Sequence, residues 1–431
     1  MKSFRFTFSL LVAFFIATGL SAQNLDQDRD MQQFRSPSQT GIHQFEALET
    51  DEPWEGFNVR LGGGFAVQYQ ALSHSTGTTA DTLIDIRNNF NLPTANLDLD
   101  VALADGVRMH LRTYLSSRHH PDSWVKGGYV QIGNLNFLRE GLLENLMDFT
   151  TVKVGMMEIN YGDYHFRRTD NARAIYNPFV GNLIMDAFNT EAGAELYFTP
   201  GDFLVMVGAT NGDLNQSVDD PGVEPTPAIL GKIGYDKQIN EDLRVRLTGS
   251  YYGSAEGQTN FLYFGDRAGS RYYLTMADQD ANATDDFRTG RVNPSMINEV
   301  NAIMINPFVK FQGLEFFGTF ETVSGKISGE AQTRTWTQLH AELLYRFGNR
   351  EQFYAGGKFN SVEGGQPNFN PTVDPNQVDV SRYAFGAGWY MTPNVLLKAE
   401  YVNQDYNGYG NSSLLHEGNF NGAMLEATIG F

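Results

Sequence analysis

The sequence predicts an all-β fold, a transmembrane antiparallel β-barrel of about 16 strands. Three observations predict it. Apolar and polar residues alternate with period 2 along much of the chain, in runs paired through tight turns. Short and long connections between the runs alternate as well. The alternation also continues to the last residue: in GAMLEATIGF, Ala423, Leu425, Ala427, Ile429 and Phe431 share one face, and Met424, Glu426, Thr428 and Gly430 the other. A terminal strand must pair or stand as an open edge, and a closed barrel pairs its last strand with its first.

The N-terminus carries an export signal. Lys2 and Arg5 precede an apolar run from Phe6 to Leu20, followed by the small residues Ser21 and Ala22. This three-part layout reads as a signal peptide over residues 1–22. The apolar run is shorter than the ~20 residues a spanning helix needs. The chain has no cysteine, which excludes disulfides and lipid attachment through a thiol.

After residue 22 no apolar stretch reaches spanning length, and the mean hydropathy of −0.34 looks soluble. A barrel accounts for this, because each strand needs only one apolar face. Aromatic residues fall near strand ends, with Tyr345, Phe347, Trp389, Tyr390 and Phe431 by the turns and Tyr251, Tyr252, Tyr401 and Tyr406 toward the loops. Such belts suit the two interfaces of a bilayer. A net charge of −19 argues against nucleic acid as a partner.

In order along the chain, LDLDVALADGVRMHLRTYL turns at Ala104-Asp105-Gly106, and the next hairpin turns at Pro200-Gly201. Further hairpins turn near Asn240, at Gln312-Gly313, near Asn349 and at Pro393-Asn394. Longer polar connections cover roughly residues 72–92, 118–123, 160–189, 211–225, 255–294, 326–332, 363–377 and 406–418, while an irregular one, 138–148, lies on the short-turn side. Eight long loops imply 16 strands with both termini on the periplasmic side; another pair hidden in 257–276 makes 18. A two-sheet sandwich rarely uses so many strands, and its outward faces are polar. Residues 23–56 are polar and lack alternation, which predicts a flexible periplasmic lead-in to a barrel spanning 57–431.

Alternation assigns Arg60, Arg108, Arg112, Lys153, Arg244, Arg246 and Glu342 to the inward face, together with Asp98, Asp100, Glu191, Glu195, Glu315, Glu321, Glu400 and Glu426. An Arg or Lys on the lipid face costs ~2–4 kcal/mol at the midplane, whereas charges facing water cost little. A polar interior of both signs predicts a water-filled pore, since about 16 strands enclose more space than side chains fill.

The third long loop, 160–189, is unlike the others. It holds Ile175, Tyr176, Phe179, Leu183, Ile184, Met185 and Phe188, which an exposed loop would not keep, beside Arg167, Arg168, Arg173, Asp163, Asp170 and Asp186. It is expected to fold inward. The segment FRRTDNARAIYNPFVGNLIMDAF resembles porin-like outer-membrane proteins of the Bacteroidota, and more distantly phosphate-selective porins. The close resemblance covers roughly residues 150–200. It implies a 16-stranded porin of the outer membrane, a homotrimer, and passive diffusion of small hydrophilic solutes or ions. It also implies a pore constriction at Arg167, Arg168, Asp170 and Arg173, by loop position. The lysine-rich signature of phosphate specificity is not evident. Outer-membrane lipid and the assembly machinery, which reads a terminal aromatic, are the other expected partners.

Other motifs point less far. Asp278, Asp280 and Asn282 stand at calcium-loop spacing, but Ala283 and Thr289 occupy the positions that need glycine and glutamate. His119-His120 reads as an exposed polar pair, and Gly62–Gly64 is followed by no phosphate-loop Lys-Ser/Thr. No metal or cofactor is expected. No serine motif accompanies the scattered histidines, so an enzyme is not expected; the alternative function is a surface receptor or adhesin on a barrel scaffold.

Overall fold

A computed structural model describes residues 31–90, 94–116, 124–170, 173–214, 226–255, 260–264, 268–330 and 332–431. The signal peptide expected at 1–22 and the pair His119-His120 lie outside the described residues. Gln32–Phe431 forms one unit.

The strands are β1 (Asn58–Ser75), β2 (Asn89–Phe90), β3 (Thr94–Ala104), β4 (Val107–Ser116), β5 (Trp124–Ile132), β6 (Thr150–Glu158), β7 (Thr190–Phe198) and β8 (Phe203–Thr210). They continue with β9 (Ala228–Gln238), β10 (Leu243–Ser254), β11 (Glu299–Phe311), β12 (Leu314–Lys326), β13 (Arg334–Phe347), β14 (Phe353–Gly365), β15 (Gln377–Thr392), β16 (Val395–Asn407) and β17 (Asn419–Gly430). β2 is a two-residue stub beside β1. The other sixteen each pair antiparallel with their neighbours, and β17 pairs with β1, with Glu426 opposite Gln68 and Leu425 opposite Tyr69. The terminal strand therefore closes the barrel. The stretch 257–276 adds no pair of strands among the described residues.

Side chains alternate across the wall. Ile229, Ile233, Leu247, Ile303, Leu339, Leu343, Phe385 and Leu425 face outward, while Asp98, Asp100, Glu195, Glu315, Glu342 and Glu426 are buried inside. This is the inverse of a soluble protein, and it places the wall in a bilayer.

Much of the lumen is filled with protein. The described residues of the third long loop, 159–170 and 173–189, lie inside, with Phe179, Val180, Leu183, Ile184 and Met185 almost wholly buried. An irregular buried segment must still satisfy its backbone, and the inward polar residues of the wall do this. Val180 N and Ile184 N donate to the side chains of Glu400 and Asn360. Lys398 Nζ donates to the carbonyls of Ala174, Asn177 and Phe179. At Gly386 the loop comes so close that a Cβ would sit 2.9 Å from the Phe179 ring.

Described residues of the fifth long loop, 260–264 and 268–298, also enter. Arg271 pairs with Glu426 on β17 at 2.6 Å, Tyr272 donates to Glu400, and the backbone of Tyr273 exchanges hydrogen bonds with the Gln70 amide. The two loops meet where Asn182 Nδ2 donates to the Gly269 carbonyl. Local pattern carries no sign of this inward course, because the buried tyrosines Tyr263, Tyr272 and Tyr273 are spread among polar and charged residues.

The segment ahead of the barrel differs from the flexible lead-in that its missing alternation predicts. Ser38 caps a short 3-10 turn at Gln39–Gly41, Ile42 packs with Ile175 and Phe179, and Phe45 packs with Tyr164, Leu183 and Phe308. Gln39 reaches the β13–β14 turn, where its amide donates to the Arg350 carbonyl. Residues 32–50 thus dock across the short-turn mouth against the third loop, and residues 51–55 are exposed. The partners that order them lie far away in sequence, so local periodicity carries no trace of them.

Candidate functional site: a passage along one wall

The inward loops leave three cavities along one side of the lumen, one at the mouth beside β6 and β8–β10 and two further in beside β3–β7. A cavity of about 660 Å3 opens at the short-turn mouth, lined in part by Glu46, Asp236, Arg244 and Arg246. An enclosed cavity of about 110 Å3 follows. Phe45, Glu46, Ala47 and Leu48 line both, so the docked N-terminal segment is the partition between them. A third, of about 60 Å3, reaches Lys126 and Thr190 near the long-loop end. It shares His110, Tyr129, Lys153, Glu158 and Arg173 with the enclosed cavity, and these five residues form the neck between the two.

Charges of both signs face the neck. Glu158 retains 29% of its side-chain surface and accepts from Arg112. Arg173 retains 19%; its Nη2 donates to Asp98 Oδ2 at 2.6 Å. Lys153 retains 15% and is 3.9 Å from Glu195, with its ammonium 4.4 Å over the Tyr129 ring. His110 Nδ1 is 2.9 Å from Asp100. Opposed charges in a narrow, weakly screened space set up a field across it.

The docked segment adds its own charges. Glu46 pairs with Lys232 at 3.0 Å and Arg246 at 2.8 Å. Burial pushes the Glu46 carboxyl up, but Arg246 and Lys232 outweigh it and hold the group below its usual range. His165, in the third loop, has its Nε2 3.1 Å from Asn160 Oδ1; burial, with Lys232 nearby, pushes the imidazole down to about 3. His43 meets Glu315 at 2.7 Å, yet burial pushes it down to about 4. Burial also lowers Arg35 to about 10, which leaves it charged at neutral pH.

The residues that sequence assigned to the constriction have separate fates. Arg167 and Arg168 retain 2% and 0% of their side-chain surfaces and pin the loop, Arg167 to Glu315 and Glu342, Arg168 to Asp186. Arg168, though paired with Asp186, lines the enclosed cavity together with Asp170 and Arg173; Asp170 accepts from Arg112 and Lys126. Of the expected lining, Arg108 and Lys153 reach the enclosed cavity, Arg112 the third, and Arg244 and Arg246 the mouth. Arg60 stacks 4.3 Å over the Phe34 ring, and Glu342 is sealed behind the third loop with Arg167.

Sequence reasoning missed Glu158, Lys126, Arg35 and Glu46. Strict alternation groups Glu158 with the outward Val154, but at the strand's end its long side chain turns to Arg112. Arg35 and Glu46 belong to the segment read as flexible. In the loop of Asp278 and Asp280, Asn282 is taken by local bonds, its Nδ2 donating to Asp285.

No family model and no curated protein matches the chain. Solved structures do. The outer membrane channel DcaP of Acinetobacter baumannii is similar with a TM-score of 0.53 at 11% identity, covering 88% of this chain and 99% of that one. The anion-selective porin from Comamonas acidovorans has a TM-score of 0.51 at 10% identity, covering 87% and 100%. The trimer form of OmpT from Vibrio cholerae has a TM-score of 0.50 at 10% identity, covering 88% and 100%. The chain has the closed 16-stranded barrel fold of outer-membrane porins and channels, with the apolar outer band that such a membrane requires.

Proposed function

We propose that the protein is an outer-membrane porin passing small hydrophilic solutes or ions by passive diffusion, and that it is not an enzyme. The observation that carries this reading is the succession of cavities with charged linings that runs from the mouth beside β8–β10 to the neck beside β3–β7. The neck at Lys153, Glu158 and Arg173 sets the ion preference in this reading, and Asp170, Arg112 and Lys126 hold Glu158 and the loop in place. Arg167 and Arg168 act as anchors. Homotrimers fit the porin fold, with the trimer form of OmpT as the nearest support. Kinship with porin-like proteins of the Bacteroidota, a signal peptide at 1–22 and handling by the outer-membrane assembly machinery through Phe431 belong to the same proposal.

The filled lumen favours one second reading, a surface receptor on a plugged barrel. Single-channel recording in a planar bilayer separates them. Discrete KCl conductance supports the porin. Silence both in the mature protein and in a variant lacking residues 32–50 contradicts it and leaves the receptor.

A further inference from the structure

We propose that the β5–β6 connection, residues 133–149, is a membrane foot, whose apolar side chains lie on the phospholipid leaflet beside the short-turn rim of the barrel. The proposal goes beyond the channel reading and holds whether or not the lumen conducts.

The connection is folded and tied at both ends. Asn136 Nδ2 donates to Asp105 in the β3–β4 turn at 3.0 Å, and Asn136 Oδ1 accepts from Gly141 N. Leu138 N and Arg139 N both donate to the Leu135 carbonyl, and one helical turn forms at Glu144–Met147. Beyond β7, Thr199 N donates to the Phe149 carbonyl. An ordered segment in water turns its apolar side chains inward. Here Phe137, Leu138, Leu143 and Leu146 retain between 49% and 66% of their surface. None of the four lines the mouth cavity, whereas Met147 is buried and does. Exposed apolar residues grouped on one ordered connection mark a surface for a partner.

Continuity with the wall identifies that partner as lipid. The Phe149 ring packs edge-on against Phe198 at 6.3 Å, and Phe198 stands with Leu196 on the outward face of β7. Leu146 is held at the start of β6, where Thr150 Oγ1 donates to its carbonyl. The apolar surface thus extends from the lipid band of the wall onto the connection. Arg139, Glu140, Glu144 and Asp148, all exposed, are interleaved with the apolar residues. A leaflet takes both kinds together, because the charges stay among the headgroups while Phe and Leu sink past them. A dry contact with a second copy would strip water from the same charges. One arginine against three carboxylates leaves the foot acidic, which fits zwitterionic headgroups better than anionic ones.

The chain has no cysteine, so single nitroxides can be attached at Leu143→Cys and Leu146→Cys in the mature full-length protein. Glu140→Cys marks the headgroup level, and Leu196→Cys the lipid face of the wall. In phosphatidylcholine vesicles, relaxation by oxygen, which concentrates in lipid, is compared with relaxation by a water-soluble nickel chelate. Oxygen is expected to dominate at Leu143→Cys and Leu146→Cys, as at Leu196→Cys, and nickel at Glu140→Cys. Nickel dominance at Leu143→Cys and Leu146→Cys, with oxygen still dominant at Leu196→Cys, overturns the proposal and leaves the foot in water. Spin–spin broadening at these two sites that disappears on dilution with unlabelled chains also overturns it, in favour of a second copy as the occupant.

Discussion

Glu46 Oε2 lies 2.8 Å from Arg246 Nη2, joining a segment that precedes the barrel to the inward face of β10. Lys232 on β9 closes on the same carboxylate from the other side. This contact fixes Phe45–Leu48 as the partition between the mouth and the enclosed cavity. Glu46→Gln should undock the segment partially, at roughly 1–3 kcal/mol for a buried pair that loses one partner. Amide exchange over residues 32–50 should rise while exchange in β9 and β10 stays slow. Unchanged exchange would show that the apolar anchors Ile42 and Phe45 suffice alone.

Acid should release the segment. His43 and His165 are held neutral by burial, at about 4 and about 3, against 6.5 when free. A group with a depressed imidazole pKa favours docking above pH 6.5, and that contribution is lost as pH falls toward the docked value. Glu46, held below its usual range, acts in the same direction below pH 4.5. Exchange over 32–50 should therefore increase from pH 6.5 downward, and His43→Gln should flatten the upper part of that curve. A segment that tightens on acidification would contradict this assignment.

Charge at the neck should set selectivity, and charge behind the loop should not. Glu158→Gln should move the reversal potential in a KCl gradient toward anions, and Arg173→Gln toward cations. Arg167→Gln should leave it unmoved and lower thermal stability instead, because it strands Glu315 and Glu342 in part. An equal shift from Arg167→Gln would return the constriction to the anchors.

The strands and their closure were legible in the sequence because a barrel wall is local: period 2 marks each strand, and turn chemistry marks each hairpin. Inward charges such as Arg108 and Glu426 followed from the same count. The contents of the lumen were only partly legible. The apolar residues of 160–189 revealed an inward loop, but nothing local separated Arg167, neutralised by Glu315, from Arg173, which faces the cavity. The partners that seal Arg167, Glu315 and Glu342, stand 148 and 175 residues further along the chain. The same holds for Arg35, Glu46 and the inward fifth loop, whose order comes from the wall and not from their own pattern.

Removing residues 32–50 should raise single-channel conductance, since it joins the mouth to the enclosed cavity and deletes Phe45 and Leu48 from the partition. Unaltered conductance in a barrel that still assembles would mean that current bypasses this segment.

The route itself is best tested by cysteine accessibility, because the chain has no cysteine of its own. Glu158→Cys places a thiol at the neck, and Glu342→Cys places one behind the third loop, where the native side chain retains 2% of its surface. Passage along β3–β7 predicts that a small charged methanethiosulfonate lowers the KCl current of the Glu158→Cys channel and leaves the Glu342→Cys channel unchanged. Block at Glu342→Cys with an unaffected Glu158→Cys channel would contradict the account and put the current between the third loop and β13.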